Sequence, residues 1–253
     1  MNKKNFLIST LALASIFTAT VTSTGVNAAE DAGSAQTKAT LKFKQESQDP
    51  TDSTKPVNPD NPGEPNPGPG NPDPGDPGNP GTNSAGPLSI DFAPAFDFGV
   101  GTISNESKTY SLQDAVYDDG QTRNHKPFVQ VTDRRGNGQG WTLNANISKF
   151  TNSQASGNPQ ENLRGAEVKI SPKNAPTAGY GSVSDAPTGF SSSIKLSENS
   201  QNIMTASNRQ GMGTWLQFLD PANITLTVPG GTAIKGNAYS ANVTWTLSAG
   251  PTV

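Results

Sequence analysis

Between Pro87 and the last residue, Val253, apolar side chains recur at every second position in short runs, and no run of ten or more residues carries a convincing helical period. "PLSIDF" places Leu88, Ile90 and Phe92 on one side of an extended chain, and "FDFGV" repeats the device with Phe96, Phe98 and Val100. "FVQVTD", "GAEVKIS" and "NITLTV" do the same with Val129 and Val131, with Ala166, Val168 and Ile170, and with Ile224, Leu226 and Val228. Period-two alternation marks strands with one buried face. Clusters such as "DRRGNGQG", "NSQASGNPQ" and "SPKNAPTAGYGS" separate the runs and supply turn chemistry. Only "TYSLQDAVYDD", residues 109–119, allows a turn or two of helix. The pattern predicts an all-β domain over residues 88–253, an antiparallel sandwich or barrel-like fold with long turn-rich loops.

The segment ahead of that domain reads differently. Residues 51–87 hold more than half of the chain's 21 prolines, lack aromatics and bear one lysine among scattered acids. Too little apolar surface is present there to offset chain entropy, so the expectation is a disordered Pro/Gly-rich spacer. Within residues 29–50, "KATLKFKQ" alternates Ala39, Leu41 and Phe43 with polar residues. A strand of that kind is unstable alone and is expected to join the sheet of the main domain.

Residues 1–28 order Lys3 and Lys4, an apolar stretch from Phe6 to Phe17, and small residues near Ala28. This is the layout of a cleaved secretory signal peptide, and the apolar run is too short for a membrane span. No second run of membrane length follows, so no transmembrane anchor is expected. The chain contains no cysteine, which leaves an exported fold to rest on its core without disulfides.

Net charge is −3 with acids and bases in near balance, and nothing resembles the basic stripe of a nucleic-acid binder. His125 is the single histidine and sits in a polar stretch with no nucleophile-elbow sequence nearby, which argues against a catalytic triad. Asp118, Asp119 and Gly120 read as a turn, since the alternating oxygen ligands of a calcium loop are missing. No catalytic residue, metal site or cofactor is therefore expected. Arg134 and Arg135, beside three alternating glycines, are candidate contacts for an anion, and the glycines themselves read as a tight turn feeding the strand at Trp141. Trp215, in "GTWLQFLDP", reads as a core or rim aromatic.

One phrase is written twice. "GWTLNANIS" places Trp141, Leu143, Ala145 and Ile147 on one strand face, and "NVTWTLSAG" does so with Val243, Trp245, Leu247 and Ala249. Trp and Leu at i and i+2 share a face in both copies, and that face meets either a core or a ligand. Burial favours core, because indoles are the anchors that a chain with 7% aromatics needs. The other reading is stacking on sugar rings, whose apolar faces and polar edges suit an indole.

Two Trp-x-Leu motifs, one after a Gly-rich turn and one in a last strand, resemble the WxL domain of Gram-positive surface proteins. The signal-like N-terminus, the early "TKATLKF", the spacer and "AGPLSIDFAPAFDFG" are also similar to that family's layout. The resemblance implies a non-catalytic protein of the cell surface, attached non-covalently to cell-wall peptidoglycan. It further implies partnership with WxL-interacting membrane-anchored proteins and other WxL proteins. Its motif positions fall on Trp141, Leu143, Trp245 and Leu247. Two alternatives stand beside it: an adhesin for a host glycan or matrix protein, and a secreted carbohydrate-active enzyme. The second is weaker, because no spacing suggests the paired carboxylates such an enzyme needs.

Overall fold

The computed structural model describes residues 38, 40–42, 54, 56–59, 62–63, 82, 84–116, 122–123, 126–182, 184–234 and 238–251. The chain divides into two units, residues 1–42 and 43–253. Of the first, Lys38 and residues 40–42 are described, exposed and outside any strand. The signal-like segment, His125 and residues 118–120 lie outside the described residues.

The second unit is built from three four-stranded sheets. The first has the order β1 (Leu88–Phe92), β5 (Phe128–Asp133), β12 (Gly213–Phe218), β8 (Thr177–Ala178). In the second the order is β10 (Ile194–Leu196), β7 (Glu167–Ile170), β13 (Thr225–Val228), β2 (Lys108–Ser111). The third runs β14 (Val243–Ala249), β6 (Trp141–Ile147), β11 (Gln201–Ala206), β9 (Thr188–Gly189). A two-residue ribbon, β3 (Ala115–Val116) with β4 (Thr122–Arg123), stands apart. All paired strands are antiparallel, and the helical content of the described residues is two single 3₁₀ turns at Ser153–Ala155 and Pro221–Asn223. The all-β expectation therefore holds.

Alternation explains the core. Val129 and Val131 of β5, Val168 and Ile170 of β7, Leu226 of β13, and Trp141, Leu143, Ala145 and Ile147 of β6 all turn inward into one cluster. The opposite positions of the third sheet are polar: Thr244 and Thr246 are exposed, and Asn202 donates to Asn144 Oδ1 at 3.3 Å. At roughly 25 cal/mol per Å² of apolar surface, a buried indole alone contributes several kcal/mol before entropy is counted.

Three expectations fail locally. Phe92 does not share a face with Leu88 and Ile90, because a bulge between Ile90 and Phe92 turns it into a separate cluster with Phe128 and Leu216 while Leu88 and Ile90 pack on the main core. Residues 96–100 form no strand. Gly99 takes φ 69° and donates its N–H to Asp97 Oδ1 at 2.8 Å, a side-chain turn that breaks the ladder. Asp97 O instead accepts from Gln113 N at 2.9 Å, which ties the segment down as an irregular wall. Nor is there a helical turn in the described part of residues 109–119, because Lys108–Ser111 pairs with β13.

The segment read as spacer also does more than space. Val57 is 6% exposed and packs with Phe92, Phe128 and Leu216 in a second apolar cluster on the outer face of the first sheet. Its backbone N–H donates to Gln130 Oε1 at 2.9 Å. Further along, Thr82 N donates to Asp91 O at 3.0 Å, so the chain is fastened to the domain again before β1 begins.

Candidate functional site

The two Trp-Thr-Leu phrases are neighbours in space. Strands β6 and β14 pair antiparallel, with Leu143 opposite Leu247, Trp245 opposite Ala145, and Ala249 opposite Trp141. Residues directly opposed in such a pair share a sheet face, so both tryptophans and both leucines point to the same side. Their environments differ. Strand β6 is interior to its sheet, and Trp141 and Leu143 have no exposed surface. Strand β14 is the sheet edge, and Trp245 and Leu247 are part-buried against the same core.

Trp141 is a structural anchor. Its Nε1–H donates to Gly211 O at 3.0 Å, so the polar tip is satisfied inside the core. Gly211 has φ 70°, and a Cβ there would lie 2.7 Å from that same indole nitrogen. The turn ahead of the strand is equally close: a Cβ on Gly140, at φ 71°, would fall 2.1 Å from Ala206 O. The glycines of "RGNGQG" therefore let the strand start against its neighbour, as a tight turn feeding Trp141.

Arg135 belongs to that turn. Its Nε and Nη2 donate to the two carboxylate oxygens of Asp133, each at 2.9 Å, and Nη2 also donates to Gly140 O at 2.6 Å. The Arg135 side chain is 8% exposed and that of Asp133 is fully buried. A bidentate pair so enclosed fixes the turn and commits the guanidinium that sequence offers to an anion. Arg134 donates its backbone N–H to Pro87 O at 2.6 Å and its Nη2 to Gly86 O at 3.4 Å, binding β5 to the entry of β1. Trp215 is buried and donates Nε1–H to Met212 O at 3.1 Å.

Trp245 faces a groove of about 1290 Å³ that opens between the edge of the third sheet and the second sheet. Its floor is Ile147, Leu226, Val228, Val243 and Trp245. Phe96 and Phe98 from the irregular 93–103 segment form one wall; Tyr110, Phe150 and Tyr239 add aromatic surface. Both tyrosine hydroxyls are spent on backbone: Tyr110 donates to Thr102 O at 3.1 Å and Tyr239 to Gln160 O at 2.6 Å. The ring faces are what remains for a ligand. Asp97 is the one acidic or basic side chain among the described lining residues, and its Oδ1 already accepts from Gly99 N. Exposed Val100 and Ile103 stand at the rim.

Of the residues singled out from sequence, the structure brings Trp141, Leu143, Trp245 and Leu247 onto one sheet face. Only Trp245 among them lines the groove. Phe96 and Phe98 were legible as an apolar pair but not as a groove wall. Tyr239 lies in a polar stretch, "GNAYSAN", with no periodic signal to mark it.

A buried carboxyl lies elsewhere, on the outer face of the first sheet. Asp91 is 1% exposed and accepts from Ser89 Oγ at 2.6 Å, Gln130 Nε2 at 2.8 Å and Thr132 Oγ1 at 2.5 Å. Burial raises its pKa to about 6, outweighing those three hydrogen bonds and the nearby Arg134 charge, all of which favour the ionised form.

The architecture defines an all-β domain with an aromatic groove beside a sheet edge. Among the described residues no helix is long and apolar enough to cross a membrane. The family model of the WxL domain, described as surface cell wall-binding, matches residues 30–251, and the chain belongs to that family. It is thus a cell-surface protein with a cell wall-binding domain. No curated protein and no solved structure matches it.

Proposed function

We propose that this protein is a non-catalytic surface protein, exported by a Gram-positive cell, that attaches non-covalently to peptidoglycan through the groove lined by Trp245. The observation that carries the reading is the part-buried indole on the floor of an open groove, flanked by Phe96, Phe98, Tyr110 and Tyr239. Sugar rings present apolar C–H faces to such surfaces and keep their hydroxyls at the edges. Asp97 as the single carboxylate among the described lining residues supports binding over hydrolysis, because glycoside cleavage canonically employs two. Val100 and Ile103, exposed apolar side chains at the rim, support the further association with other surface proteins that the family resemblance implies.

Titration with soluble muropeptides tests the reading by tryptophan emission. Trp141 and Trp215 are buried, so a change on binding should come from Trp245 and vanish in Trp245→Phe. An unchanged spectrum at saturating muropeptide, or a change that survives Trp245→Phe, counts against the groove.

A further inference from the structure

Strand β14 is the outer strand of its sheet, and the register of its ladder decides where its main chain points. Val243 lies opposite Ile147 and Ala249 opposite Trp141, with no shift in register between them. Just beyond the two ends, Ser148 N donates to Asn242 O and Gly250 N donates to Gly140 O, each at 3.0 Å. The hydrogen-bonded pairs of the ladder therefore fall on Thr244, Thr246 and Ser248, in step with Asn242 and Gly250. Val243, Trp245 and Leu247 consequently aim both N–H and C=O away from β6, toward an edge where no other strand pairs with β14. Among the described residues, no hydrogen-bond partner meets these groups.

The open edge runs beside the aromatic groove. Val243 and Trp245 line that groove and Leu247 does not, so the unpaired groups of the first two border the same space as the indole. A ligand held there meets an indole face, an apolar floor from Ile147 and Val243, and main-chain donors and acceptors waiting at a strand edge. Covering such groups without pairing them is costly, so a well-fitted ligand brings an amide-like donor or acceptor of its own. Charge narrows the choice. Asp97 is the one acidic or basic side chain among the described lining residues, so none of them offers a cation to the carboxylates of a peptidoglycan stem peptide.

We infer that this edge is a subsite for the acetamido group of an N-acetylhexosamine, an assignment that rests on the glycan reading of the groove and adds the feature by which the sugar is chosen. One ring stacks on Trp245. The acetamido carbonyl accepts from Val243 N–H, and the acetamido methyl packs on the apolar floor. An acetamido group is a single amide with a methyl attached, so it meets a strand edge with the same donor and acceptor chemistry as an added chain. A sugar with a hydroxyl at that carbon offers the edge an oxygen in place of an amide and brings no methyl to the floor.

Two oligosaccharides with the same β-1,4 backbone separate the acetamido group from the ring faces: the tetramer of N-acetylglucosamine and the tetramer of glucose. Each is titrated into the full chain and followed by tryptophan emission. The N-acetylated tetramer should bind at least tenfold tighter, a difference of about 1.4 kcal/mol or more. Val243→Pro tests the assigned donor, since it removes an N–H that points away from the ladder, a place where an edge strand tolerates proline. That variant should lose the preference. Val243→Ala, which keeps the N–H, and Leu247→Pro, which deletes an outward N–H outside the groove, should retain it. Equal affinity of the wild type for the two tetramers overturns the acetamido subsite and leaves the glycan groove standing; that comparison depends on no variant folding. A preference that survives in Val243→Pro with a wild-type circular dichroism spectrum overturns the assignment to this edge. If neither tetramer changes the emission while sacculi still bind through Trp245, the groove takes the stem peptide and the acetamido subsite is wrong. If sacculi are not bound either, the groove itself is not the wall site.

Discussion

Leu143 and Leu247 face each other directly across β6 and β14, which makes the repeated Trp-Thr-Leu phrase a single two-stranded element. The two halves nevertheless have different neighbours. Trp141 sits inside with its N–H bonded to Gly211 O, whereas Trp245 lies on the edge strand and faces the groove. Trp141→Ala should therefore cost about 3–5 kcal/mol of stability, the range for an aromatic truncated in a core. Trp245→Ala should cost about 1–2 kcal/mol, since part of that ring is already in water. Urea unfolding of both variants checks the order, and equal losses would contradict it.

Arg135 and Arg134 separate in the same way. Arg135→Ala leaves the Asp133 carboxylate buried and unpaired, for which about 3–5 kcal/mol of destabilisation is expected. Arg134→Ala loses a long hydrogen bond to Gly86 O and a favourable charge near Asp91, and a smaller loss, about 1–2 kcal/mol, is expected. Thermal unfolding monitored by circular dichroism distinguishes them. In neither case should wall binding of the folded fraction change.

Asp91 gives stability a pH dependence of defined sign. Its folded pKa of about 6 lies above the ordinary value of 3.8, so the folded state holds the proton more tightly than the unfolded chain. The stabilisation is complete below pH 4, is lost as pH rises through 6, and amounts to about 3 kcal/mol at roughly 1.4 kcal/mol per unit. Asp91→Asn should flatten that part of the profile. Denaturant midpoints across pH 4–7 make the comparison, and a wild-type profile as flat as the variant's would contradict it.

How far the sequence could be read depends on what lies on each face of a strand. Strands β6, β7, β13 and β14 were visible because one side is core and the other is less buried or polar. Strand β1 was visible as a strand, but a bulge between Ile90 and Phe92 parts Phe92 from the face of Leu88 and Ile90. Strand β12 was not: Trp215 and Leu216 are both buried, one in the main core and one under Val57, so the period of two is lost. Strand β11 was hidden by a bulge between Asn202 and Met204 that buries consecutive apolar residues, Ile203 and Met204. The covering of the first sheet by a Pro-rich segment has no local signature, since Val57 is one apolar residue in a polar run. The groove was half legible. Trp245 was singled out, but the roles of Phe96, Phe98 and Tyr239 come from chain packing between sheets.

The central claim is that the Trp245 groove holds the wall, and sedimentation with purified peptidoglycan sacculi, stripped of proteins and secondary polymers, tests it most directly. The full chain should pellet with the sacculi. A Phe96→Ala/Trp245→Ala variant that retains the wild-type circular dichroism spectrum should stay largely in the supernatant, at least tenfold weaker, corresponding to about 1.4 kcal/mol or more of lost binding. Wild-type protein left in the supernatant, or a folded double variant that pellets equally well, would contradict the account.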